Sequence, residues 1–162
     1  MNKLLAKISL KDIAIALAVA IFFIADCYLK SLALNSAGNA PLKLIGDIFS
    51  FHFTPNYHIS FSLPLGGWFL NLIILLIIGL LTYYIFYLIL NKKEQKIEII
   101  LLTFVLFGAI SNILDRFIYG YVVDYLELRY FTVFNLADMM ISGGIIILIT
   151  KTLRVKKIIC LD

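Results

Sequence analysis

"LGGWFLNLIILLIIGLLTYYIFYLIL", residues 65–90, contains no Asp, Glu, Lys or Arg. About 20 such residues, rising 1.5 Å each, cross a hydrocarbon core of ~30 Å. Backbone in that medium must satisfy its own hydrogen bonds, so the stretch reads as a membrane-spanning helix over about 68–90. Three other stretches share its character: about 13–29, interrupted by Asp26; about 97–116; and about 133–151, with Asp138 inside it. The whole chain is 62% hydrophobic and 15% charged, where soluble domains carry about a quarter charged residues. Its mean hydropathy is +1.01. The expected fold class is therefore an α-helical integral membrane protein with four transmembrane helices, forming one membrane domain over residues 1–162.

Orientation follows from the cations, because cytoplasmic loops are enriched in Lys and Arg. Lys3, Lys7 and Lys11, then Lys92, Lys93 and Lys96, then Lys151, Arg154, Lys156 and Lys157 lie at one set of helix ends. The opposite segments hold only Lys30, Lys43, Arg116 and Arg129. Both termini are expected in the cytoplasm. The net charge of +4 is then a topology signal, and nucleic acid is not expected as a partner. The first span has the basic start of a signal peptide, but Asp26 and Lys30 follow it with no small-x-small cleavage pattern.

The outer segments carry a different period. In "IFSFHFT", Phe49, Phe51 and Phe53 alternate with Ser50, His52 and Thr54. After Pro55-Asn56 the alternation resumes at Tyr57, Ile59, Phe61 and Leu63. Such patterning on both sides of a Pro-Asn turn predicts a hairpin. "YVVDYLELRYF" is a second extended stretch. Together they predict a small outer-face β-sheet drawn from 31–67 and 117–132.

Polar residues at membrane depth are functional candidates by default. Asp26 and Lys30 are spaced i,i+4 and can pair on one helix face. Asp115 is followed by Arg116, a charge able to neutralise it, and Asn112 lies one turn back. Asp124 and Asp138 are different, since neither has a basic residue within four positions. Asp138 precedes Lys151 by a distance of ~20 Å along a helix, inside the hydrocarbon slab. The spacing Asn-x-x-Asp occurs at Asn112/Asp115 and again at Asn135/Asp138. If Asp124 and Asp138 meet, they cannot both ionise easily and will share a proton. One could then deprotonate water while the other protonates a carbonyl oxygen or leaving amine.

Other chemistries are poorly served. His52 and His58 fall in the hairpin without a His-Glu-x-x-His motif, so a metal site is not expected. There is no Gly-x-Ser-x-Gly elbow, and Cys27, with no nearby His, is expected to be a small buried apolar residue. Two non-peptidase readings stay open: a proton-coupled transporter, and an assembly factor whose hairpin binds a partner.

Taken in order, the motifs resemble the lipoprotein signal peptidase (signal peptidase II) family of bacterial membrane aspartyl peptidases. "ADCYLK" resembles the family's Asp-x-x-x-Lys, at Asp26 and Lys30. "NYHISF" is similar to its Asn-x-Gly-x-Ala-Phe segment, at Asn56 and Phe61. "GAISNILDR" and "GYVVDY" resemble its central block, at Asn112, Asp115, Arg116 and Asp124. "FNLAD" matches its last block, at Asn135, Ala137 and Asp138. The resemblance implies a catalytic dyad of Asp124 and Asp138 and an outer β-cradle. It implies that Asn56 and Arg116 hold substrate backbone, and that Asn112 and Asn135 orient the carboxylates. It further implies cleavage N-terminal to a diacylglyceryl-modified Cys in a prolipoprotein, without cofactor or metal. The chain is then expected to act as a monomer in the bacterial cytoplasmic membrane, near its outer face, with membrane lipid as its other partner. Three positions depart from the family pattern: His58 and Ser111 replace glycines, and Cys27 replaces a glutamine.

Overall fold

The computed structural model describes residues 10–57, 67–91 and 96–159. Four long helices carry the chain: α1 Leu10–Asn35, α2 Gly67–Asn91, α3 Lys96–Tyr119 and α4 Leu136–Ile159. Each contains a segment long and apolar enough to cross a membrane. Side chains are distributed inside-out relative to a soluble protein. Trp68 on α2 is 77% exposed and Leu90 67% exposed, whereas Asp26 is 0% and Lys30 3% exposed. Large apolar side chains turned outward are stable only against lipid, and buried charges only among partners.

Four strands fill the connections at one end of the bundle: β1 Leu42–Ile45, β2 Phe49–Asn56, β3 Val122–Leu128 and β4 Thr132–Phe134. They form one antiparallel sheet in the order β1-β2-β3-β4. Val123 and Tyr125 of β3 pack on Ala33 of α1, with Phe51 and Phe53 around them. This apolar seam seats the sheet on the helices. At Gly120 the φ angle is +82°, and its N–H donates to the Arg116 carbonyl at 3.1 Å. A glycine in that left-handed conformation ends α3 and turns the chain directly into β3.

The strand layout corrects the expected hairpin. Pro55 and Asn56 do not form its turn; they continue β2 opposite Val123 and Val122. The turn lies earlier, at Gly46–Ile48, between β2 and the short β1. Among the described residues β1 pairs with β2 only from Phe49 to Phe51, so Pro55 sits where that edge of β2 needs no N–H donor. The expected return strand, with His58 and Phe61, lies outside the described residues. Two boundaries also move: α1 continues to Asn35, and Thr132–Phe134 is a strand ahead of α4. Cys27 is exposed on α1 and is not a buried filler.

Between the pairs Phe51–Leu126 and Thr54–Asp124, β2 carries one residue more than β3. Bulges of this kind bend a strand and often adjoin functional sites. α3 and α4 pack closely, because Gly108 and Gly144 let each helix approach the other. A Cβ on Gly108 would lie 2.6 Å from the Ala137 carbonyl oxygen.

Candidate active site

The first turn of α4 is held by side chains from three places: β3, α1 and the residue just before the helix. The opening N–H groups of a helix lack internal partners, and here each finds one. Leu136 N–H donates to the Tyr125 hydroxyl at 3.0 Å. Ala137 N–H donates to Asp26 Oδ1 at 3.1 Å. Asp138 N–H donates to Asn135 Oδ1 at 2.8 Å, which makes Asn135 the N-cap. Asp138 is thereby fixed in the first turn of α4, with Ala137 fully buried behind it.

Asp124 reaches the same place from β3. Its Oδ2 accepts from Asn56 Nδ2 at 2.8 Å, and its Oδ1 accepts from Asn135 Nδ2 at 2.8 Å. Asp138 Oδ1 accepts from Asn112 Nδ2 at 2.8 Å. Both carboxylates line one cavity of about 940 Å³, together with Thr54, Asn56, Tyr57 and Ser142. Burial, and then the charge of Asp138, push the Asp124 carboxyl up to about 7. The amides of Asn56 and Asn135 and the charge of Lys30 act in the opposite direction. A carboxyl poised there can hold or release a proton near neutrality.

Behind the cavity lies a buried ionic cluster. Lys30 Nζ sits 2.8 Å from Asp26 Oδ2 and 2.8 Å from Asp115 Oδ2. It also donates to Ser111 Oγ at 2.9 Å and to Asn112 Oδ1 at 3.0 Å. Asp26 accepts further from the Ser111 hydroxyl at 2.6 Å and the Tyr125 hydroxyl at 2.9 Å. Asp115 accepts from the Val123 N–H at 3.1 Å, tying β3 to α3. Removing two carboxylates and an ammonium from water is tolerated only with this density of partners.

The expected partner of Asp115 therefore changes. Adjacent helical residues point about 100° apart, so Arg116 is carried away from Asp115 and Lys30 of α1 neutralises it instead. Arg116 interacts electrostatically with Asp124 and Asp138 first and with Asp115 after them, and its Nη1 donates to the Tyr57 carbonyl at 3.4 Å. Nor are the two cavity carboxylates without a cation, since Lys30 acts on both. His52 Nε2 lies 3.0 Å from Thr54 Oγ1, with Nδ1 3.5 Å from Glu127. Two contributors were not singled out for the site from sequence. Ser111 is four residues before Asp115 and so shares its helix face, a usable signal. Tyr125 had none, because nothing in "VVDY" marks its hydroxyl as a helix cap.

These features define a multi-pass helical membrane protein with two carboxylates converging in one cavity at the sheet end of its bundle. The signal peptidase (SPase) II family profile matches residues 12–154, and the chain belongs to that family. It is 32% identical over 127 residues to a lipoprotein signal peptidase of Caldicellulosiruptor bescii, covering 78% of this chain and 81% of the relative. It is 41% identical over 113 residues to one of Microcystis aeruginosa, covering 67% and 70%. A bacterial membrane enzyme structure solved in meso at 2.3 Å resolution shares the fold, with TM-score 0.76 at 19% identity over 87% of this chain and 88% of that one.

Proposed function

We propose that this protein removes signal peptides from prolipoproteins as an aspartyl endopeptidase, cleaving N-terminal to a diacylglyceryl-modified Cys. The observation that carries the reading is the single cavity lined by both Asp124 and Asp138. In this scheme the reactive pair shares one proton, carried by Asp124, whose carboxyl is pushed up to about 7. Asp138 takes a proton from water as the hydroxyl adds to the scissile carbonyl carbon. Asp124 passes its proton to the carbonyl oxygen. In collapse, Asp138 returns its proton to the departing amine nitrogen and Asp124 recovers one from the tetrahedral hydroxyl.

Asn56 lines the cavity and Arg116 donates to the carbonyl of its lining residue Tyr57; both hold substrate backbone in this scheme. Asn112 and Asn135 orient the carboxylates, and Asp26, Lys30, Asp115 and Ala137 support them; Phe61 completes the proposed substrate-binding set. No metal or cofactor takes part in this scheme. The protein acts as a monomer in the bacterial cytoplasmic membrane, with both termini cytoplasmic and the cavity near the outer face.

The test is gel-shift processing of a diacylglyceryl-modified prolipoprotein by the purified protein. Wild type should cleave in the presence of a chelator, and Asp124→Asn and Asp138→Asn should each lose at least about 10³-fold in rate. Full activity in either variant overturns the dyad. Loss of activity with chelator overturns the metal-free scheme.

A further inference from the structure

A second groove runs along the neighbouring face of α4. Its wall is apolar and includes Phe22 of α1, Phe104 of α3, and Leu136, Met139, Gly143 and Ile147 of α4. Its volume is about 260 Å³. From Leu136 to Ile147 it follows α4 for ~16 Å at 1.5 Å per residue, about half of a ~30 Å hydrocarbon core and so the depth of one leaflet. Met139 lines both this groove and the carboxylate cavity. The two therefore meet one residue from Asp138.

Gly143 and Gly144 have different reasons to lack a side chain. A Cβ on Gly144 would lie 2.7 Å from Val105 Cγ2, so helix packing demands glycine there. A Cβ on Gly143 would meet no atom within 4 Å. Glycine inside a helix costs about 1 kcal/mol relative to Ala, and packing offers no return for it at Gly143. What glycine does at Gly143 is leave the groove open.

We propose that this groove holds one acyl chain of the substrate's diacylglyceryl group while the peptide occupies the carboxylate cavity. The assignment rests on the prolipoprotein reading above. Cleavage on the N-terminal side of the acylated Cys puts the glyceryl group within a residue of the scissile bond, so its chains must start beside Asp138. The groove begins there, at Met139. A peptide helix is about 10–12 Å across with its side chains, too wide for a channel of this volume and length. The wall carries no hydroxyl, amide or charged side chain for a headgroup, whereas a single hydrocarbon chain needs none. Met139 suits the junction, since an unbranched thioether adapts its shape to what passes.

The experiment compares one prolipoprotein peptide carrying two palmitoyl chains with the same peptide carrying two hexanoyl chains. Gly143→Leu, whose Cβ would meet nothing within 4 Å, puts a branched side chain into the groove and should raise the palmitoyl-to-hexanoyl KM ratio roughly tenfold. Gly79→Leu places the same side chain on α2, where a Cβ also meets nothing within 4 Å, and should leave the ratio at the wild-type value. Should Gly143→Leu fail to fold, Gly143→Ala should move the ratio in the same direction by a smaller factor. An unmoved ratio in a folded Gly143 variant overturns the proposal. So does loss of co-purifying phospholipid with the ratio unmoved, which would make bulk lipid the occupant. Cleavage of neither peptide by wild type overturns the prolipoprotein reading together with the groove; cleavage of both with an unmoved ratio overturns the groove alone.

Discussion

Asn112 and Asp138 meet across the α3–α4 seam with the amide nitrogen, not its oxygen, turned to the carboxylate at 2.8 Å. The oxygen faces the other way because two donors claim it: Lys30 Nζ at 3.0 Å and Asn135 Nδ2 at 3.1 Å. An amide's orientation is set by the network around it. Lys30, which touches neither cavity carboxylate, thus acts with Asn135 to set which end of Asn112 Asp138 receives.

Lys30→Met separates this duty from simple support. It leaves Asp26 and Asp115 buried without their cation, at a cost of about 3–5 kcal/mol, a large part of a typical total of about 5–15 kcal/mol. Folded yield by size-exclusion chromatography should collapse. Neutralising both carboxylates as well, in Lys30→Met/Asp26→Asn/Asp115→Asn, should recover yield. Processing by the recovered protein should stay about 10²-fold below wild type, because Asn112 keeps only one of the two donors that direct it. Wild-type rates in the triple variant would exclude the orienting role.

Asp124 is expected to make both rate and stability depend on pH. With its carboxyl at about 7, kcat/KM should fall as pH rises through neutrality and the shared proton is lost. Its folded value lies above the unfolded one, ~3.9. The stabilisation is therefore fully present below about 4 and disappears as pH rises through about 7. Asp124→Asn mimics the protonated form at every pH. Its Tm advantage over wild type should be larger on the alkaline side of neutrality than on the acid side, and an equal gap on both sides would contradict the assignment.

Gly108 holds α3 against the first turn of α4. In Gly108→Ala the new methyl meets the Ala137 carbonyl oxygen at 2.6 Å and Ile141 Cγ1 at 2.9 Å. A backbone oxygen cannot swing aside, so overpacking should cost ~1–3 kcal/mol and lower Tm. The strain falls beside Asp138, so processing should drop as well. Gly79→Ala, with open space around it, should hold or raise Tm. Equal Tm values for the two variants would remove Gly108 from the contact.

Tyr125→Phe tests the helix cap. It deprives Leu136 N–H of its acceptor and Asp26 of a donor, at ~1–3 kcal/mol, read as a lower Tm. The carboxylates keep their amide donors, so activity should fall by less than about tenfold. A loss as deep as that of Asp138→Asn would bring the hydroxyl into the reaction itself.

Much of this architecture is legible from local pattern. Apolar runs of membrane length announce the four spans, and i,i+4 spacing announces the Asp26–Lys30 pair. Features that depend on two distant segments are not legible in that way. Lys30 meets Asp115 only because α1 and α3 pack side by side, and no local rule connects them. "LKLI" is too short to declare itself as β1, and Pro55 looked like a turn because its tolerance depends on where β1 stops. The unlike roles of Gly143 and Gly144, adjacent and identical in sequence, exist only once α3 is in place.

β3 is moored at three points, by Val123 N–H to Asp115, by the Tyr125 hydroxyl to Asp26, and by Asn135 to Asp124. β2 meets Asp124 from its far side, through Asn56. That amide lowers the carboxyl's hold on its proton, and it is carried by a different strand from the carboxyl itself. Any displacement of β2 from β3 at Asn56 therefore tightens Asp124's grip on hydrogen, so the acidity of the site is geared to the position of a strand.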